Sequence, residues 1–265
     1  MKGKIYAVAN QKGGVGKTTT CHCFAAGLKK LGKTVLLIDL DPQSNLSTLC
    51  DAETDARNKD AITMLEVLSD KNTLTDAIQK IDQYDIAPAS MYLASIDNVL
   101  RDPIGRPFKL AEKIDESNLR KKYDYIILDC PPALGTLTSL AVVAADSVII
   151  PAQADVLSLQ GVSQLFTTIE SARGHANKGL KIAGIVLTRF NSRTKISRDI
   201  LELFEAAALQ MKTNVFKTRI REATAVKESQ ATGASVFEMS SHSNPAQDYM
   251  ALIHEIFDTV GKEGN

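Results

Sequence analysis

Asn10-Gln11-Lys12-Gly13-Gly14-Val15-Gly16-Lys17-Thr18-Thr19-Thr20 is the stretch that decides how the rest of the chain is read. An apolar run, Ile5-Tyr6-Ala7-Val8-Ala9, precedes it, and a helical pattern from Cys21 to Leu31 follows. Strand, glycine loop and helix form the context that a phosphate-binding loop requires. Glycines allow successive backbone N–H groups to turn inward and approach phosphate oxygens with no Cβ in the way. The helix behind them sets the positive end of its dipole against the same anion. Lys17 adds a full charge near the β- and γ-phosphates, and the Thr18 hydroxyl can complete a Mg²⁺ shell. In the ordinary G-x-x-x-x-G-K-[ST] motif a glycine stands where this chain has Gln11, and a second lysine, Lys12, precedes the glycine pair. A glycine-rich turn with incidental lysines is the alternative reading. Residue types, spacing and flanking elements agree against it.

The bulk properties are those of a packed globular protein. The chain has 265 residues, 44% hydrophobic and 23% charged, with 31 basic and 31 acidic side chains. A formal charge of zero says nothing about nucleic acid, so only local distribution can. The four cysteines, Cys21, Cys23, Cys50 and Cys130, form no C-x-x-C pair. Cys21-His22-Cys23 resembles a metal site at first sight, but on a helix positions i and i+2 point about 200° apart. Small residues packed in a reducing compartment are the better reading. No apolar run approaches the roughly 20 residues of a membrane span, and the N-terminal run leads straight into the glycine loop, as a core strand does.

Further along, Val35-Leu36-Leu37-Ile38 reads as a buried parallel strand ending in Asp39-Leu40-Asp41-Pro42-Gln43. Two carboxylates just past the end of such a strand sit where open α/β sheets place their ligands. Residues 44–60 are polar and read as an irregular surface loop. Met64 to Leu68 and Thr75 to Ile81 suggest short helices, and Tyr84 to Ala89 a short strand and turn. Met91 to Arg101 and Phe108 to Leu119 carry helical periodicity, separated by Pro103, Gly105 and Pro107. Tyr125-Ile126-Ile127-Leu128-Asp129 is an apolar strand ending in a carboxylate, placed to hold Mg²⁺ through water opposite Thr18. Pro131-Pro132 and Gly135 then shape a turn able to sense a γ-phosphate. Ser147 to Pro151 and Lys181 to Leu187 are further strands, with a helix over roughly 157–171 between them. Strands alternating with helices predict one α/β domain over residues 1–265: a doubly wound, mostly parallel β-sheet with helices on both faces, the P-loop NTPase architecture.

Charge is uneven near the end. Residues 189–227 carry nine basic and four acidic side chains, a net of +5, whereas residues 228–265 carry one and six, a net of −5. By itself the basic segment reads equally as a solvated helix face or as a nucleic-acid surface.

K-G-G-V-G-K-T-T, D-L-D-P-Q and I-L-D-C-P-P, taken together, closely resemble the ParA/Soj branch of the ParA/MinD family, whose loop is known as a deviant Walker A motif. Pro151-Ala152-Gln153-Ala154-Asp155, Leu159-Gln160-Gly161-Val162 and Leu187 to Thr194 also look like that branch, so the resemblance covers nearly the whole chain. It implies an ATPase using ATP and Mg²⁺, in which two subunits close face to face around two nucleotides. The nucleotide would be held by Lys12, Gly13, Gly14, Val15, Gly16, Lys17, Thr18 and Thr19, with Thr19 at the α-phosphate. Lys17 would act in its own subunit and Lys12 across the interface on the partner's nucleotide. Thr18 would bind Mg²⁺ directly, with Asp129 and Asp39 supporting the metal shell, and Asp41 would position or activate the attacking water. The resemblance further implies that the ATP-bound homodimer binds double-stranded DNA without sequence preference. A ParB-type centromere-binding protein would then stimulate hydrolysis and release, as in plasmid or chromosome segregation. It implies a cytoplasmic, nucleoid-associated prokaryotic protein. Arg189, Arg193, Arg219, Arg221 and Lys227 become the DNA-binding candidates. Two departures stand out. Thr218 to Ala223 and Glu228-Ser229-Gln230 replace the Pro-Arg-Asn and Ala-Pro-Ser segments of chromosomal members, and look more like plasmid or mobile-element members. The chain also begins at the first strand, so operator binding through an N-terminal helix-turn-helix is not expected.

Three rivals share the deviant loop. A MinD-like membrane-cycling ATPase needs a basic amphipathic C-terminal helix. Here residues 249–265 have an apolar face in Met250, Leu252, Ile253, Ile256, Phe257 and Val260, but an acidic polar face that anionic lipid would repel. A helix docked on the core, with no membrane contact, is expected instead. An iron–sulfur carrier needs cysteines that bridge a dimer or pair as C-x-x-C, and Cys130 has no such companion. A bacterial tyrosine kinase needs a tyrosine-rich tail, and only Tyr249 lies near the end.

Overall fold

A computed structural model describes residues 2–54, 58, 60–81, 84–192 and 194–262. The first half runs β1 (Lys4–Val8), α1 (Lys17–Lys30), β2 (Val35–Asp39), α2 (Asn45–Leu49), α3 (Met64–Leu68), α4 (Leu74–Ala77), β3 (Gln79–Lys80), β4 (Asp85–Ala87), α5 (Ile96–Val99), α6 (Lys109–Glu116), α7 (Leu119–Lys122) and β5 (Tyr125–Asp129). The second half runs α8 (Thr136–Ala144), β6 (Ser147–Gln153), α9 (Val156–His175), β7 (Lys181–Thr188), α10 (Lys195–Gln210), α11 (Thr224–Thr232), α12 (Val236–Met239) and α13 (Asn244–Lys262).

The strands form one seven-stranded sheet in the order β3-β4-β2-β5-β1-β6-β7. Every pairing is parallel except β3 with β4. Alternate residues of the central strands feed two cores. Ile5, Ala7, Ile126 and Leu128 enter one, whereas Tyr6, Val8 and Ile127 enter the other. Burial on both faces explains why these strands read as continuous apolar runs. The registry matters for the site. Asp129 lies opposite both Val8 and Asp39, so the ends of β1, β2 and β5 meet at one level.

Helix α13 contributes Tyr249, Leu252, Ile253 and Ile256 to the second core, beside α1. Its apolar face is therefore used inside the protein as far as Phe257, the Val260 side chain lying outside the described residues, and no helix among the described residues is long and apolar enough to cross a membrane. The acidic tail and the basic segment also meet. Glu255 accepts the backbone N–H groups of Lys217 and Thr218, and Asp248 takes the Arg221 guanidinium at 2.6 Å.

Two expectations need correction. Residues 44–60 are not one irregular loop, because α2 forms within them and buries Leu46 and Ser47 completely. The cause is tertiary: the Asp39 carboxylate captures Ser47 through both its N–H and its hydroxyl, at 2.9 and 2.7 Å. Residues 55–57 and 59 lie outside the described residues. Nor is 75–81 one helix. A capping box at Thr73 and Asp76 starts α4, which stops at Ala77, and Lys80 then pairs with Asp85 as an antiparallel edge strand. Residues 21–23 are core. Burial holds His22 neutral, with its pKa down at about 4, and its ring meets Tyr84 edge-on at 5.8 Å.

Candidate nucleotide site

The glycine loop runs from the end of β1 to the start of α1 and borders an open cleft of about 1160 Å³. Gly14 and Gly16 hold φ of 75° and 86°, left-handed values that a side chain would oppose, so the loop's path depends on them. A Cβ on Gly13 or Gly14 would meet nothing within 4 Å, which leaves a bare backbone cradle facing the cleft. The loop is braced from behind. The Thr188 hydroxyl donates to the Val15 carbonyl at 2.8 Å, and the Gln153 amide donates to the Gly14 carbonyl at 3.2 Å. Asn10 donates to Pro151 and accepts from the Lys12 N–H. Gly161 permits this arrangement: a Cβ there would lie 2.9 Å from the Asn10 Oδ1.

The two lysines diverge. Lys17 is buried and turns back to the Lys12 carbonyl at 3.2 Å. Burial lowers its pKa, and Asp129, Cys130 and Asp41 pull in the opposite direction. Lys12 leaves the cradle and pairs with Asp155 of its own chain at 2.6 Å, with Gln153 Oε1 at 3.4 Å. Partial burial of Asp155 alone would raise its pKa. The bonds from Lys12 and Ser158 outweigh it and hold the carboxyl below its usual range. Asp155 also caps the N-terminus of α9 by accepting from the Ser158 N–H at 2.8 Å.

Three carboxylates stand beside the loop in different states. Asp39 is fully buried, and its oxygens are engaged by the N–H of Asp41 and by Ser47. In this structure it is a clamp on the loop after β2. Asp41 lines the cleft, and its Oδ1 accepts from the Gln43 N–H at 3.0 Å. Asp129 differs from both, because its two oxygens are buried and accept no hydrogen bond among the described residues. Burial drives its pKa well above the carboxylate range, and Asp39 alongside reinforces the shift. Thr18 and then Lys17 ease it. Thr18 faces the carboxylate without completing a bond of normal geometry.

An orphaned buried carboxylate next to a hydroxyl and a phosphate cradle fits a hard, oxygen-ligated cation. Among the described residues no three His, Cys, Asp or Glu side chains cluster to cage a metal. That suits Mg²⁺, which ordinarily takes one or two protein oxygens and completes its shell with waters and substrate phosphates. Replacing Asp129 with Asn should therefore leave the apo protein at least as stable as the wild type while abolishing the extra thermal stabilisation that Mg²⁺ adds to ADP. Thermal melts with ADP, with and without Mg²⁺, test this. A Mg²⁺-dependent shift equal to that of the wild type would remove Asp129 from the metal site.

The described DNA-binding candidates lie near the end of β7, with differing surroundings. Arg189 lines the cleft, at φ 49°. Phe190 bridges to Arg221, and the Arg219 guanidinium lies 5.2 Å above the Phe190 ring centre. Arg221 is held by Asp248, with Nε 2.9 Å from Oδ2 and Nη2 2.6 Å from Oδ1. Lys227 is exposed on α11. Arg193 lies outside the described residues. The sequence had not singled out Asn10, Ser47, Thr188 or Gln230 for any role. Asp155, like Thr188, entered only as part of a family-like run, although an Asp immediately before a helix start is a readable capping signal.

Comparison with known proteins agrees with this geometry. The family described as AAA domain matches residues 3–182. The sporulation initiation inhibitor protein Soj of Bacillus subtilis is 35% identical over 256 residues, 96% of this chain and 98% of Soj. The chromosome partitioning protein ParA of Caulobacter vibrioides is 33% identical over 255 residues, 96% of this chain and 93% of that protein. Among solved structures, cobyrinic acid a,c-diamide synthase from Mycobacterium smegmatis, bound to an ATP analogue and magnesium, superimposes with a TM-score of 0.83 at 31% identity. That match covers 99% of this chain and 97% of the other. Near-complete coverage, the two-lysine loop and the carboxylates at the ends of β2 and β5 lead to one assignment: the chain belongs to the ParA/Soj branch of the ParA/MinD family of P-loop ATPases.

Proposed function

We propose that this protein is a DNA-partition ATPase in which ATP and Mg²⁺ drive closure of a homodimer, and the closed dimer binds duplex DNA without reading its sequence. The observation that carries the proposal is Lys12. It extends out of the loop whose backbone and Lys17 make the phosphate cradle, and it rests in a partly exposed ion pair with Asp155. A partly exposed pair of this kind is worth only about 1 kcal/mol or less, so a phosphate offered by a second subunit can displace it.

Each side chain then has a task. Lys17 and the N–H groups of residues 13–19 hold the phosphates. Thr18 and Asp129 hold Mg²⁺, which when bound neutralises charge on the phosphate oxygens. Asp41 orients the attacking water and accepts its proton. Lys12, freed from Asp155, reaches the partner's γ-phosphate and offsets the charge that develops there. Arg189, Arg193, Arg219, Arg221 and Lys227 supply sequence-blind phosphate contacts, with Arg221 the weakest because Asp248 already neutralises it. A ParB-type protein would stimulate hydrolysis and end the cycle, and DNA binding would hold the protein on the nucleoid in the cytoplasm.

Co-sedimentation with random duplex DNA and with anionic liposomes, in ATP, ADP or no nucleotide, tests the proposal. Binding to DNA in ATP alone is expected, weakening by about 10³-fold or more between 50 and 200 mM salt if a dimer makes six or more phosphate contacts. ATP-dependent binding to liposomes without binding to DNA would replace this reading with a membrane-cycling one.

A further inference from the structure

Helix α11 is poorly anchored by its own sequence. It has nine residues, no side-chain cap at Ala223 and one fully buried side chain, Ser229. Helices this short do not persist in water without tertiary support. One bond ties its last turn to the nucleotide loop: the Gln230 amide donates to the Thr19 hydroxyl at 2.7 Å. Gln230 also borders both the main cleft and a small side pocket reached past Gly16, Thr188 and Arg189.

From this geometry we infer that Gln230 is a positioning residue that couples nucleotide occupancy to the order of α11. Thr19 accepts from Gln230, which leaves its own hydroxyl proton to donate into the cleft. An O–H whose oxygen already accepts a hydrogen bond is a better donor, so a phosphate taking the Thr19 proton strengthens the Gln230 bond in turn. Linkage makes the effect reciprocal: a nucleotide that tightens α11 is itself bound more tightly by the same factor. Lys227 stands one turn before Gln230 on this helix and is ordered with it. The inference rests on the nucleotide-binding reading above, with Thr19 beside the α-phosphate. It makes α11 a reporter of whether the site is filled, by ATP or ADP alike, and leaves discrimination between the two to the γ-phosphate side.

Hydrogen exchange of residues 224–232 and the affinity for fluorescent ADP, measured in Mg²⁺, test it. In the wild type, saturating ADP should slow exchange in α11 by about tenfold or more, since closing a locally unfolded segment suppresses its opening. In Gln230→Ala the slowing should fall below about twofold, with ADP affinity lower by about 3- to 10-fold, the range of one hydrogen bond. Gln230→Glu separates donation from packing, because it keeps the shape but its carboxylate cannot donate to Thr19. It should behave like the alanine variant or worse. Wild-type behaviour of Gln230→Glu, or a wild-type α11 that binds ADP without slower exchange, overturns the inference while leaving nucleotide binding intact. Failure of the wild type to bind ADP at all overturns both.

Discussion

Asp41→Ala is expected to hydrolyse ATP about 10²-fold or more slowly than the wild type while binding it almost as well. The size follows from the usual contribution of a positioned proton acceptor, about 10²–10⁴-fold. The selectivity follows from location. Asp41 lines the cleft from the loop after β2, apart from the cradle of residues 13–19, and only its Oδ1 accepts a hydrogen bond among the described residues. Removing the carboxylate leaves Lys17, Thr18 and the loop amides untouched. It also removes a negative charge from a site built for phosphates, which favours the ATP-bound form. The variant should therefore accumulate as an ATP-loaded dimer, visible by size-exclusion chromatography with ATP and multi-angle scattering. Phosphate release at the wild-type rate would take Asp41 out of the chemistry. The loop itself should survive the change, since its anchor is Asp39, whose carboxylate is held by Ser47 and by the Asp41 backbone N–H.

Lys12→Ala is expected to lose hydrolysis by about 10³-fold, the lower end of what a charge supplied in trans contributes to phosphoryl transfer. Loss alone would not show from which subunit Lys12 acts. Mixing does. In the proposed closed two-fold dimer, each site would take Asp41 from the subunit that holds the nucleotide and Lys12 from the other. A mixed dimer of Lys12→Ala and Asp41→Ala subunits contains one site with both groups and one with neither. Equal mixing before ATP is added should thus restore about a quarter of wild-type activity, half of the dimers being mixed and each having one intact site. If Lys12 acts within its own chain, every site in the mixture lacks one group and activity stays at background. In that proposed dimer the pair with Asp155 at 2.6 Å would have to break for Lys12 to cross, and Asp155 would oppose closure.

How much of this was legible in the sequence differs from residue to residue. Lys17, Thr18 and the glycines were readable because a phosphate cradle is a local structure. Adjacent residues, a strand before and a helix behind suffice to build it, and the structure has β1 before the loop and α1 behind it. The parallel strands were readable because burial on both faces leaves an apolar run ending in a polar residue. Helix α2 was not readable, since five residues carry too little periodicity and the force that folds them is Asp39, six residues before the helix starts. The edge strand β3 was missed for a like reason, because its only strand partner among the described residues is β4.

Charge shows the same division. As a string, residues 189–227 are basic and the tail is acidic. Folding pairs Asp248 with Arg221 and sets Glu255 on the backbone N–H groups of Lys217 and Thr218, so one basic charge of that segment is already met by the tail. The sequence by itself determined the phosphate loop, its second lysine and the strand-ending carboxylates, since these depend on neighbours along the chain. Only the tertiary structure decided that Asp39 is spent on Ser47 while Asp129 stands bare, that Lys12 rests on Asp155, and that Gln230 touches Thr19 across 211 positions. Strand order and helix docking bring those partners together, and a hydrogen bond or an ion pair between residues so far apart leaves no periodic trace in the sequence.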